Sequence, residues 1–85
     1  MDIITSNKFD KKFLKLPTKI RVQFSERLKI FVENPQDPML KNHPLHGKMS
    51  GRKAFAINGD YRVNNRLISH EVIEFISIGT HNQVY

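Results

Sequence analysis

The sequence predicts an α+β fold in which an N-terminal strand and a two-helix hairpin pack on a mainly antiparallel sheet of about four strands. Three observations carry this. Apolar residues recur at helical spacing only before residue 35, and runs of β-branched and aromatic residues around a turn signal fill the chain after residue 52. A stretch bearing Pro35, Pro38, Pro44, Gly47 and Gly51 separates the two halves. Division of 85 residues would leave neither half enough apolar surface to offset chain entropy of roughly 1 to 2 kcal/mol per residue, so residues 1–85 read as a single domain.

Ile3-Ile4 opens the chain as a short strand, and Ser6 is a suitable N-cap for a helix running through Phe9, Phe13, Leu14 and Leu16. Pro17 interrupts that helix. Thr18 is expected to cap a second, amphipathic one, with Ile20, Phe24, Leu28, Phe31 and Val32 every three or four residues and an end near Asn34-Pro35. Its other face carries Lys19, Arg21, Glu26, Arg27, Lys29 and Glu33, the mixed charge of a solvated surface.

Residues 35–51 read as a long surface connection, the kind of segment that often carries function. Lys53-Ala54-Phe55-Ala56-Ile57 is then a strand, Asn58-Gly59-Asp60 a hairpin turn, Tyr61–Ser69 a second strand and residues 71–78 a third. The last is almost continuously apolar and β-branched, which suits a central strand. With the helices on one sheet face, the other is expected to stay open, concave and partly polar, a platform for RNA.

Composition narrows the function. With no cysteine there is neither a disulfide framework nor a thiolate metal site, and the start lacks the basic and apolar regions of a signal peptide. No apolar run approaches the ~20 residues that span a bilayer, so a cytoplasmic address without membrane contact is expected. A net charge of +6 and a pI near 9.9 favour a polyanionic partner: RNA, DNA, the ribosome or an acidic protein segment. His43 and His46 form a weak pair, but no Asp, Glu or Cys cluster completes a ligand set and no Gly-rich loop opens a helix. Neither a metal nor another cofactor is expected.

Cleaving RNA without a metal requires activation of a ribose 2′-OH, a proton for the departing 5′-oxygen, cations around the phosphorane and a hold on the flanking base. The C-terminal half has residues for each. His43, His46, His70 and His81 are of the type suited to acid and base work. His70 reads as an exposed turn residue, whereas His81 follows the buried strand directly, where a rigid edge can aim it. Arg62, Asn64 and Arg66 share a parity on the second strand and so one sheet face, and Lys48, Arg52 and Lys53 are placed to track phosphates. Tyr85 can stack on a base or pack.

Three blocks then resemble the YafQ branch of the RelE-type toxins: Asn42-His43-Pro44-Leu45-His46-Gly47-Lys48-Met49-Ser50-Gly51-Arg52, Asn58-Gly59-Asp60-Tyr61-Arg62-Val63, and Ile78-Gly79-Thr80-His81-Asn82-Gln83-Val84-Tyr85. The resemblance implies a RelE-like fold and a bacterial or archaeal toxin that cuts messenger RNA in the ribosomal A site. It also implies a cognate antitoxin, with operator DNA as a possible target of the hetero-oligomer. Carried over, the family's site falls on His43, Asp60, His81 and Tyr85, with Arg62 as the strand arginine. The roles implied are His81 as general acid, His43 or Asp60 as base, Arg62 stabilising the phosphorane and Tyr85 positioning the base; Lys48, Arg52, Lys53 and Arg66 are expected to contact RNA on their charge and placement.

Two positions depart from the family pattern. Ala56 stands where YafQ-like enzymes have a second histidine, and Val63-Asn64-Asn65-Arg66 replaces a usually apolar stretch. Alternation puts Asn65 with Tyr61, Val63 and Leu67 on the face expected to be buried, where an unpaired carboxamide costs on the order of 1 to 3 kcal/mol. The competing functions are a ParE-like gyrase inhibitor on the same fold and a catalytically weakened toxin acting as an antitoxin-binding co-repressor.

Overall fold

The computed structural model describes all 85 residues, Met1–Tyr85. Strand β1 (Asp2–Thr5) leads into α1 (Asn7–Leu14) and α2 (Thr18–Glu33), followed by β2 (His43–Pro44), β3 (Lys53–Ala56), β4 (Tyr61–Ser69), β5 (Val72–Thr80) and a one-turn helix α3 (His81–Val84). The strands form one sheet in the order β1-β5-β4-β3-β2, parallel between β1 and β5 and antiparallel elsewhere. The α+β fold and helical hairpin expected from sequence are present, with five strands rather than about four. The additional one is the two-residue β2, which pairs His43 with Ala54 and Pro44 with Lys53. It is too short to show periodicity, and its proline argues against a strand.

Local chemistry explains the helix ends. Ser6 caps α1 as expected, its Oγ accepting from the Phe9 N–H at 3.0 Å while its hydroxyl donates to Ile76 O at 2.6 Å. Thr18 does not cap α2. Pro17 takes that place, lacking an N–H to orphan, and its carbonyl accepts from Ile20 and Arg21. Thr18 becomes the first helical residue, and its hydroxyl accepts from Arg21 Nη2 at 3.4 Å.

Phe75 on β5 is the centre of the core. Its ring lies 5.4 to 6.1 Å from those of Phe9, Phe24, Phe31 and Phe55, so both helices and β3, one strand beyond β4, converge on it. Leu16, Leu40, Ile57, Val63 and Ile78 complete the buried cluster. Between Asn64 and Asn65 the register slips, leaving Ile76 of β5 as a bulge; Ser77 pairs with Asn64 and Phe75 with Asn65. The Ser6 hydroxyl takes the carbonyl of that bulged residue, joining the first helix cap to the central strand.

The second sheet face departs from expectation. Ala54, Ala56, Asn64, Ser77 and Gly79 are all buried. These small residues alternate with the core-facing ones, and α3 packs against β4 and β5. That face is therefore closed at this end rather than open. A Cβ on Gly79 would lie 2.6 Å from Gln83 Oε1 and 3.1 Å from Gln83 Cβ, so a side chain there would displace the Gln83 amide from the Thr80 N–H. No helix of the chain is long and apolar enough to cross a membrane.

Candidate active site

His43 stands on the edge strand β2, paired to β3, and its ring is fixed from both sides. Nδ1 lies 2.8 Å from Lys41 O, and Nε2 lies 3.0 Å from the Tyr85 hydroxyl. A carbonyl can only accept, so Nδ1 carries the hydrogen, and in the neutral ring Nε2 presents a lone pair to which the Tyr85 O–H donates. Lys41 reaches this position through a left-handed conformation at φ 51°, which closes the short 3₁₀ turn Pro38–Leu40 and turns its carbonyl toward the ring.

Tyr85 is the shared neighbour of both histidines. Its ring centroid is 4.1 Å from that of His81 and 6.2 Å from that of His43, the latter pair meeting edge to face. Helix α3 sets this arrangement. Thr80 and Gln83 form a capping box around its first turn, the His81 N–H donates to Asp60 O at 3.0 Å, and the Tyr85 N–H closes on His81 O. The Thr-x-x-Gln pattern was the signal by which sequence could have revealed this helix.

Asp60 arrives on the β3–β4 turn, which is held by several side chains. Asn58 Oδ1 accepts from the N–H groups of Asp60 and Tyr61, at 2.9 and 2.8 Å, and its Nδ2 donates to Gln23 Oε1 of α2 at 2.8 Å. Arg27 of α2 donates from Nε to Ile57 O and from Nη1 to Met39 O. The turn's backbone thus connects α2 to the start of α3 through Asp60. In the sequence Asn58 is only part of a turn, Arg27 is only one charge on a helix surface, and Gln23 carries no signal.

Arg62 points its guanidinium at this same turn. Nη1 donates to Asn58 O at 2.8 Å and Tyr61 O at 3.0 Å, and Nη2 to Gly59 O at 3.3 Å. Nε–H and one Nη2 hydrogen stay uncommitted. Asn64, two residues on, is fully buried and donates to Val84 O at 3.3 Å. Arg66 pairs with Glu74 across the strands at 2.9 Å, so the shared parity of Arg62, Asn64 and Arg66 does not make a continuous basic stripe.

The phosphate-tracking candidates divide between two cavities. One, of about 360 Å³, is lined by His43, Pro44, Leu45, His46, Met49 and Tyr85. Lys48 is exposed on the 3₁₀ turn Gly47–Met49 beside it, and Arg52 Nη1 lies 3.3 Å from Met49 Sδ. His46, read from sequence as one of four histidines suited to acid-base work and given no site role, also lines this cavity. The other cavity, of about 340 Å³, has Lys53, Arg66 and His70 at its edge with Phe31, Asn65, Leu67 and Ile73. Asn65 is buried as alternation predicts, and it finds partners: Nδ2 donates to Lys53 O at 3.2 Å and Val63 O at 3.4 Å. Leu67, expected to be buried, is exposed beyond the helices.

The chain as a whole superposes on solved toxin structures. YafQ from E.coli strain BL21(DE3) matches with a TM-score of 0.78 at 22% identity, over 99% of this chain and 97% of that one. The chain has the RelE/ParE-like toxin fold. A YoeB/ParE toxin from Agrobacterium tumefaciens matches with a TM-score of 0.79 at 18% identity, over 95% of this chain and 99% of that one. The E. coli DinJ-YafQ toxin-antitoxin complex gives 0.75 at 22% identity, over 99% and 96%. At the level of sequence, no family model and no curated protein matches. Within this RelE/ParE-like fold, His43, His81 and Tyr85 meet at the end of the sheet where β2 and α3 come together, with the backbone of Asp60 joining them.

Proposed function

We propose that this chain is the toxin of a type II toxin-antitoxin pair, a ribosome-dependent endoribonuclease that cleaves messenger RNA by metal-independent acid-base catalysis. The observation that carries this reading is the convergence of His43 and His81 on Tyr85. One imidazole carries its lone pair at Nε2, open to a ribose 2′-OH once that group displaces the Tyr85 O–H, and a second lies across the same aromatic ring, where a nucleobase stacked on Tyr85 would bring its phosphate between the two. In the proposed reaction His43 takes the proton of a ribose 2′-OH, with Asp60 the alternative base. The 2′-oxygen attacks the adjacent phosphorus, and His81 protonates the departing 5′-oxygen. The products are a 2′,3′-cyclic phosphate and a free 5′-hydroxyl.

Arg62 supplies positive charge to the phosphorane through its uncommitted N–H groups, and Lys48 and Arg52 guide the backbone toward the cavity. Lys53 and Arg66, counted with the RNA-binding residues from sequence, border the other cavity, and Arg66 is held by Glu74, so both stand outside the proposed RNA path. The DinJ-YafQ complex supports a cognate antitoxin as partner, and a cytoplasmic address follows from the proposed target. The ribosome and messenger RNA are the other partners proposed, and operator DNA that of the toxin-antitoxin hetero-oligomer.

A second reading, a weakened toxin retained as a co-repressor, is favoured by one feature: much of the Arg62 fork is spent on turn carbonyls. The two separate in a translating bacterial extract programmed with this chain, with and without His81→Ala, by primer extension on the messenger. New ends within translated codons that vanish with the substitution establish the nuclease. Intact RNA with blocked DNA supercoiling would move the assignment to gyrase inhibition, and intact RNA with neither effect to the co-repressor.

A further inference from the structure

We propose that Asn64 is a positioning residue, whose buried carboxamide anchors α3 through the Val84 carbonyl and thereby holds Tyr85 against His43 and His81. The inference rests on the reading of those three side chains as the active site. Asn64 is completely buried on β4, between Ala54 of β3 and Ser77 of β5. Its Nδ2 donates to Val84 O at 3.3 Å and lies 3.9 Å from Met49 Sδ, so one side chain touches two walls of the site. Its Oδ1 is buried with no partner.

A carboxamide so placed is a poor stabiliser. Burial strips both polar ends of water, and only one is repaid by a hydrogen bond. A leucine has the same branching and no polar end to desolvate, but it is bulkier and has no donor for Val84 O. The need for that donor lies in α3. A helix of four residues cannot stand alone, since nucleation costs more than one turn returns. Its start is held by the Thr80–Gln83 capping box and by Asp60 O. Its end is held by the buried Val84 side chain and by Asn64. Val84 and Tyr85 share a peptide bond, so a shift of the Val84 carbonyl moves the tyrosine ring, which lies 4.1 Å from His81 and whose hydroxyl lies 3.0 Å from His43 Nε2.

The test compares wild type with Asn64→Leu by NMR and by kinetics. In the wild type the ¹⁵N signals of His43 report a hydrogen on Nδ1 and a hydrogen-bonded lone pair at Nε2. In Asn64→Leu the Nε2 signal is expected to move to that of a free acceptor, and the Tyr85 amide to exchange about tenfold faster while amides of β4 and β5 keep their protection. On RNA, Asn64→Leu lowers kcat, and adding Tyr85→Ala to it costs no more than Tyr85→Ala alone, because both act through the same ring. Should Asn64→Leu fail to fold, Asn64→Asp replaces it: of equal size, it turns an acceptor toward the Val84 carbonyl and must give the same two NMR changes. An unchanged His43 signal and Tyr85 amide in the folded variant would overturn the proposal, as would kinetic losses that multiply. The NMR arm needs no RNA, so it decides the role of Asn64 whether or not the chain proves to be a nuclease.

Discussion

The Tyr85 hydroxyl and Nε2 of His43 lie 3.0 Å apart although 42 positions separate the residues in sequence. Three pieces of backbone produce this contact. Strand β2 pins His43 to β3, the left-handed Lys41 turns its carbonyl to Nδ1, and α3 folds Tyr85 back over the sheet. The contact fixes the orientation of the imidazole in the free chain, and in the proposed reaction the 2′-OH would take the place of the Tyr85 hydroxyl on a ring already aimed.

Two kinds of loss are expected when the three side chains are altered one at a time. His43→Ala and His81→Ala each remove a proton-transfer group and should slow cleavage by roughly 10² to 10⁴-fold. Tyr85→Phe keeps the ring and should cost far less than Tyr85→Ala, which forfeits about 1 to 3 kcal/mol of base stacking. Single-turnover rates on a ribosome-bound messenger check the order. A Tyr85→Phe variant as slow as Tyr85→Ala would show that the hydroxyl, not the stack, is what matters.

Asn65 makes a second expectation, because its buried Nδ2 donates to two main-chain carbonyls. Asn65→Asp presents an acceptor to both and should lower unfolding free energy by roughly 3 kcal/mol or more at neutral pH, against about 1 to 2 kcal/mol for Asn65→Ala. The sign with pH follows from the chemistry. Protonation gives the introduced carboxyl an O–H donor, so the folded state binds the proton more tightly than the unfolded chain and the deficit shrinks as pH falls. Urea unfolding of both variants at neutral and mildly acidic pH measures it.

These two asparagines also mark how far the sequence could be read. The helical hairpin was legible because Phe9, Phe13 and Leu16, then Ile20, Phe24, Leu28 and Phe31, recur at helical spacing on either side of Pro17, and the hairpin of β3 and β4 because Asn58-Gly59 forms its turn. What was not legible is short or tertiary. Strand β2 and helix α3 are two and four residues long, below any period; the sheet supports both, and the one local cue for α3 is its Thr80-x-x-Gln83 cap. Parity put Asn64 on the same face as Arg62 and Arg66, yet could not reveal that α3 covers that face. The candidate residues His43, His81 and Tyr85 were nameable from the blocks around them, and the structure brings their side chains together. The commitment of Arg62 to turn carbonyls and of Arg66 to Glu74 depends on distances that no sequence pattern prints.

The β3–β4 turn should behave as a stability element with a functional consequence. Asn58→Ala removes the acceptor for the Asp60 and Tyr61 N–H groups and the donor to Gln23. A loss of about 1 to 3 kcal/mol is expected by chemical denaturation. Asn58→Asp keeps the acceptor and loses only the donor, so it should retain most of the stability. Because the His81 N–H rests on Asp60 O, Asn58→Ala should also broaden the His81 ring signals in NMR, and Asn58→Asp should not.

Salt dependence distinguishes which cations meet RNA. Lys48 stands beside the cavity of His43 and Tyr85, whereas Lys53 borders the other one and Arg66 is held by Glu74. Each lysine or arginine that contacts a phosphate releases counterions, which contributes about 0.7 to the slope of log affinity against log salt for single-stranded RNA. With a short single-stranded RNA and a His81→Ala background to prevent cleavage, Lys48→Ala should flatten the slope by about that amount and weaken binding for all sequences alike. Lys53→Ala and Arg66→Ala should leave the slope close to its original value. If Lys53→Ala flattens it and Lys48→Ala does not, the strand runs past the cavity of Phe31, Asn65 and Ile73, and the path of the RNA through the His43 site has to be redrawn.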